Sequence, residues 1–136
     1  MPGYSGTPLP KKLGIKGGFK VQFVDAPQDV LAELKPALAG CPVARGSENA
    51  VDFAMIFSSS RSSLRQQFRN TAKRLQAAGT LWVSWPKKSS GVETDLDENV
   101  VREIGLSAGL VDVKVCAVSE VWSGLKFVRR LKDRSR

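Results

Sequence analysis

The chain contains no histidine. That single absence removes imidazole general-base catalysis, the Ser/His and Cys/His nucleophile pairs, and every zinc or iron site that needs an imidazole ligand. Only two cysteines are present, Cys41 and Cys116, with no CxxC spacing. They are too few for a disulfide scaffold, and a metal site built from them is not expected; their scarcity predicts a reduced, cytoplasmic protein. No apolar run approaches the roughly 18 residues of a membrane-spanning helix, and no signal peptide is visible, so no membrane contact is expected. With one tyrosine and six phenylalanines, rings for stacking on bases are scarce, and no nucleic-acid-binding motif is present.

What is present is enough for one ordinary core. The sequence has 136 residues, 42% of them hydrophobic, which predicts a single domain rather than two. Its net charge of +8 is unevenly spread. Residues 1–20 carry four lysines and no acid, and residues 122–136 carry six basic residues and one acid. Between Phe53 and Val92 lie seven basic residues and no carboxylate, a strongly positive stretch that would attract an anion.

Residues 1–19, rich in Gly, Pro and Lys, predict an extended basic lead-in. A single α/β domain follows over 20–131, and 132–136 form a basic tail. Within the domain, Val21 and Phe23 alternate with Lys20 and Gln22 in a short strand closed by Pro27. Helical spacing of Val30, Leu31, Leu34 and Leu38 predicts a helix over Pro27–Ala39 despite Pro36. Cys41–Arg45 suggests a short edge strand, and the continuous apolar run Ala50–Phe57 a strand buried on both faces. Ser58–Ser60 open a second helix, with Leu64, Phe68, Ala72 and Leu75 on one stripe and Gly79 as its stop. Thr80–Trp85 is the next buried strand. A third helix is expected from Thr94 to near Gly109, with Asp95, Asp97 and Glu98 in its first turn. Val111–Val118 and Leu125–Leu131 form a closing hairpin around Gly124. Strands alternating with helices predict a three-layer, Rossmann-like α/β fold: a mostly parallel sheet, helices on both faces, and an antiparallel C-terminal hairpin.

Leu13-Gly14-Ile15-Lys16-Gly17-Gly18-Phe19-Lys20-Val21, together with the final helix, strand, Trp122-Ser123-Gly124 loop and strand, resembles the layout of S-adenosylmethionine-dependent methyltransferases. The resemblance implies an acidic residue and a glycine-rich turn after the first strand. Here that stretch is Val24-Asp25-Ala26-Pro27-Gln28, with no glycine, and the segment that would supply a ribose-holding acid ends in Arg45. No cofactor is therefore expected. A closer resemblance spans nearly the whole chain. Tyr4-Ser5-Gly6-Thr7-Pro8-Leu9, Trp82-Val83-Ser84-Trp85-Pro86-Lys87-Lys88-Ser89, Val111-Asp112-Val113-Lys114-Val115-Cys116 and Trp122-Ser123-Gly124-Leu125-Lys126 are similar to an uncharacterised family of small bacterial proteins, which implies no activity.

In an open parallel sheet, ligands bind beyond the carboxyl ends of the strands. Asp25, Ser58–Arg61 and Pro86–Gly91 fall on that rim. Lys87 and Lys88, with Ser89, Ser90 and a glycine-permitted turn, are the groups an anion site needs; Trp85 would wall it, and Ser58, Ser59 and Arg61 would complete it at a helix N-terminus. The competing reading is a solvated loop beside an ordinary N-cap. Arg65, Arg69 and Lys73 continue a basic ridge from Arg61 along the second helix, which suits nucleic-acid phosphates or, alternatively, a solvated face with snorkelling arginines. The charged tail from Arg129 to Arg134 either solubilises the chain or reaches for an acidic partner. No catalytic or metal-binding residue is assigned. The expectation is a non-catalytic protein binding an anionic small molecule or partner at the rim. Nucleic-acid binding and a degenerate methyltransferase relative are the alternatives, and pairing with a second copy through an open edge strand is a further expectation.

Overall fold

A computed structural model describes residues 6–134. Tyr4 and Ser5 of the N-terminal motif, and Ser135 and Arg136 of the tail, lie outside the described residues. The elements are α1 (Leu9–Leu13), β1 (Val21–Val24), α2 (Gln28–Leu38), β2 (Val51–Phe57), α3 (Arg61–Ala72), β3 (Leu75–Pro86), α4 (Glu98–Ser107), β4 (Leu110–Ala117) and β5 (Trp122–Arg129), with 3-10 turns at Lys88–Ser90 and Leu131–Asp133. The five strands form one sheet in the order β1-β2-β3-β5-β4. β1, β2 and β3 are mutually parallel, while β5 runs antiparallel to both β3 and β4. The mostly parallel sheet with a closing hairpin is the architecture the alternation of elements predicts.

Side chains alternate across the sheet and feed two cores, one on each face. Along β2, Ala54 and Ile56 join Leu64 and Phe68 of α3, Val101 and Ile104 of α4, and Leu81, Val83 and Phe127. Phe53, Met55 and Phe57 face the other way, onto Leu9 and Leu13 of α1, Val30 and Leu34 of α2, and Trp82. Every residue of β2 except Asp52 is buried, which explains its unbroken apolar run. The hairpin side is pinned to α4 by Arg102, which donates to Asp112 at 2.9 Å and also pairs with Glu98.

Five local expectations are corrected. The closing hairpin turns at residues 118–121 and not around Gly124, which lies within β5 opposite Ser84 and Cys116. The lead-in is not extended throughout: residues 9–13 form α1, whose Leu9 and Leu13 are buried in the core. Pro10 in the first turn and Gly14 in the left-handed C-cap position (φ 80°) bracket this single turn of helix. The indole of Trp82 donates to the carbonyl of Leu13 at 2.9 Å and ties α1 to the sheet. Cys41–Arg45 is no strand; it contributes only a bridge from Val43 to Val21. α3 stops at Ala72, and Leu75, expected on its apolar stripe, already lies in β3. A bulge there sets two steps of β2, Val51 to Phe53, against five of β3, Leu75 to Thr80, so Gly79 ends no helix. α4 begins after Asp97, not at Thr94, because Asp97 accepts from the Val100 amide at 2.8 Å and caps the helix.

Candidate functional site

The parallel strands place Asp25, Ser58–Arg61 and Pro86–Gly91 on one rim. Ser58 is buried, and its hydroxyl donates to the Ser60 carbonyl at 3.1 Å and accepts from the Ser60 amide. Ser60 in turn caps α3 by accepting from the Ser63 amide. Ser59 is exposed, and its carbonyl accepts from the Thr94 hydroxyl at 2.7 Å. That bond brings Asp95 onto the end of α3. The Asp95 carboxylate accepts from the Arg61 amide at 2.8 Å, and the Arg61 guanidinium donates to the Asp95 carbonyl at 2.9 Å. The positive end of α3 is thus met by the chain's own carboxylate.

The loop after β3 is separate from this clamp. Trp85 is buried in the core shared with α3 and α4. The Lys87 amide donates to the Val121 carbonyl, and the Ser90 hydroxyl donates to the Lys87 carbonyl at 2.6 Å, closing the 3-10 turn. Lys88 and Ser89 are exposed. Ser58, Ser59 and Arg61 are therefore brought together but engaged internally, and Arg61 turns toward Asp95 rather than toward Lys87 and Lys88.

Arg61 instead begins the wall of a groove of about 330 Å³ between α3 and α4. Arg65 and Arg69 continue that wall. The three recur every four residues, hence on one side of the helix, about 6 Å apart along its axis. The guanidinium groups of Arg65 and Arg69 make no ion pair or hydrogen bond with any described residue. The α4 side supplies an apolar floor of Val100, Ile104 and Ala108 and one carboxylate, Glu103. Lys73, at the C-cap of α3, is exposed and outside the lining. The basic ridge was visible in the sequence, but the α4 wall was not. Its residues lie more than thirty positions away, and only helix packing brings them opposite the arginines.

Both cysteines are free, and burial pushes the Cys116 thiol up, against the opposing pull of Lys12 and Lys114. It is thus a protonated thiol at neutral pH, not an activated nucleophile. Among the described residues no three His, Cys, Asp or Glu side chains are grouped to hold a metal ion, and no helix is long and apolar enough to cross a membrane.

The fold is that of methyltransferases. Magnesium protoporphyrin IX methyltransferase from Synechocystis superposes with a TM-score of 0.60 at 11% identity, covering 90% of this chain and 78% of that one. A SAM-dependent methyltransferase from Aquifex aeolicus gives 0.56 at 19% identity, over 86% and 85% of the two chains. The fibrillarin pre-rRNA processing protein of Methanococcus jannaschii gives 0.54 at 14% identity, over 92% and 70%. A search of curated protein sequences returns no match. S-adenosylmethionine, the cofactor this fold implies, does not fit the residues after β1. The turn has no glycine: Asp25 takes the left-handed φ of 56° that glycine favours, Ala26 packs against the core, and Pro27 has no amide hydrogen to donate. The model of one family, described as a protein of unknown function, matches residues 10–131, and the chain belongs to that family, DUF3052.

Proposed function

We propose that this protein is a non-catalytic binding module on a methyltransferase-like sheet, and that it holds nucleic acid through the arginine ridge of α3. The observation that carries this reading is the pair Arg65 and Arg69. Both line a groove, and neither has an ionic partner among the described residues. Stacked like charges on a helix are destabilising by a few tenths of a kcal/mol per pair, so the ridge is a standing cost that phosphates would relieve. Each guanidinium presents a planar fork that matches phosphate oxygens. The row from Arg61 to Arg69 spans about 12 Å, long enough to meet more than one phosphate at about 3.4 Å of axis per nucleotide. The arginine row offers its forks to phosphate oxygens, so in this reading recognition is of backbone rather than sequence. The rim reading is weaker because Asp95 already occupies the end of α3.

Retention on heparin, and anisotropy of a labelled single-stranded oligonucleotide over a range of salt, test this. The expected result is a steep loss of affinity with salt. Arg65→Ala with Arg69→Ala should flatten the slope by about one unit for each phosphate that is no longer neutralised. Glu103→Gln should tighten binding by removing the groove's carboxylate. S-adenosylmethionine should produce no thermal shift. An affinity indifferent to salt, or one abolished in Lys87→Ala/Lys88→Ala but kept in the arginine variant, overturns the proposal and returns the site to the rim.

A further inference from the structure

On the opposite face of the sheet, residues far apart in sequence bring like charges together. Lys126 is the cross-strand partner of Trp82, so it emerges on the face covered by α1. Lys114 on β4 is its direct neighbour on the other side. The Lys114 ammonium donates to the Lys12 carbonyl at 3.0 Å, over the end of α1. The Lys126 ammonium lies 3.8 Å from where a Cβ would stand on Gly14. Lys16, in the loop that follows, is close enough for its charge to act on Lys126. Lys12 adds a fourth ammonium, held on the Ala117 carbonyl at 2.9 Å.

Directly opposed like charges destabilise a β-ladder, and here a third and a fourth lie over the pair. No carboxylate of the described residues pairs with Lys16, Lys114 or Lys126. Cys116, on which Lys12 and Lys114 act, is kept protonated by burial and brings no negative charge. Lys126 is partly desolvated, and burial together with Lys114 and Lys16 holds its ammonium below the usual lysine range. A charge withdrawn from water interacts more strongly with a counter-ion than one in bulk solvent. Lys114 gives one of its three donors to α1, whereas the Lys126 ammonium makes no hydrogen bond with any described residue.

We propose that Lys16, Lys114 and Lys126 form a second cationic site, separate from the arginine groove, that binds a phosphate-type oxyanion. One such group would bridge the two strands and the loop after α1, replacing the repulsion with three attractions. This proposal is independent of nucleic-acid binding at α3.

The test uses the full chain with side-chain carbon resonances of its lysines labelled, and inorganic phosphate as the probe against chloride at matched ionic strength. The expected result is a saturable shift at Lys126 and Lys114 with phosphate alone, accompanied by a rise in the pH at which Lys126 titrates. Lys16→Gln, at an exposed loop position that cannot disturb the core, should weaken phosphate binding about fivefold. Arg65→Ala with Arg69→Ala should leave it unchanged. Shifts that are equal in chloride, or saturation that survives Lys16→Gln and vanishes in the arginine variant, overturn the proposal.

Discussion

Asp95 and Asp97 stand two positions apart and serve two different helices. Asp97 caps α4, and Asp95 meets the first amide of α3. Asp97→Ala should lower the stability to urea by about 1 kcal/mol. Asp95→Ala should cost a similar amount, and it should also make the melting temperature rise with added sulfate, because the bare end of α3 would then accept an outside anion. That both acids belong near a helix start was legible from their type. Which helix each serves was not, because an aspartate suits any exposed amide end and the choice depends on the path of the loop. Gly105 was equally silent in the sequence. It sits in the last turn of α4, where a methyl group would land inside the ring of Phe127. Gly105→Ala therefore should destabilise by about 1–3 kcal/mol despite the better helix propensity of alanine. At Lys126 the sign reverses. Its ammonium is disfavoured by folding, so the unfolded chain binds the extra proton. Lys126→Met should stabilise the protein at neutral pH, and denaturation curves should show that gain fading as the pH rises from the lowered value toward the 10.5 of an ordinary lysine.

Elements with long, strict periodicity were visible in the sequence, and those shaped by distant neighbours were not. β2 announced itself by an apolar run, and α3 by its stripe of Leu64, Phe68 and Ala72. Leu75 fits the same stripe, yet the sheet claims it, because its backbone is needed opposite Val51. Arg129, which looked like the start of a charged tail, closes the α3–β3 junction by donating to the carbonyls of Ala72 at 2.8 Å and Leu75 at 2.6 Å. α1 was concealed by its brevity and by the lysines beside its two leucines. Its value lies in what it covers: Leu13→Ala should cost about 2–5 kcal/mol, and Trp82→Phe, which removes the indole donor, should loosen the N-terminal segment to protease before it lowers the global melting point.

At the scale of the whole molecule, lysines from both basic ends are built into the domain. Lys12 and Lys16 from one end and Lys126 from the other meet on one face, while the carboxylate-free middle of the chain raises the arginine ridge on the other. The candidate rim was legible because parallel strands dictate it; the two cationic surfaces required knowing which residues the sheet order makes neighbours. That same order also fixes when the chain can complete itself. α1 is the first helix in the sequence, but the Trp82 that holds it is found on β3, and Val118, which shares its core, follows β4. During synthesis, Leu9 and Leu13 emerge from the ribosome long before the surface they belong to. They stay without their β3 anchor until Trp82 has been made, so a nascent chain that stops short of β3 carries two leucines whose core is incomplete.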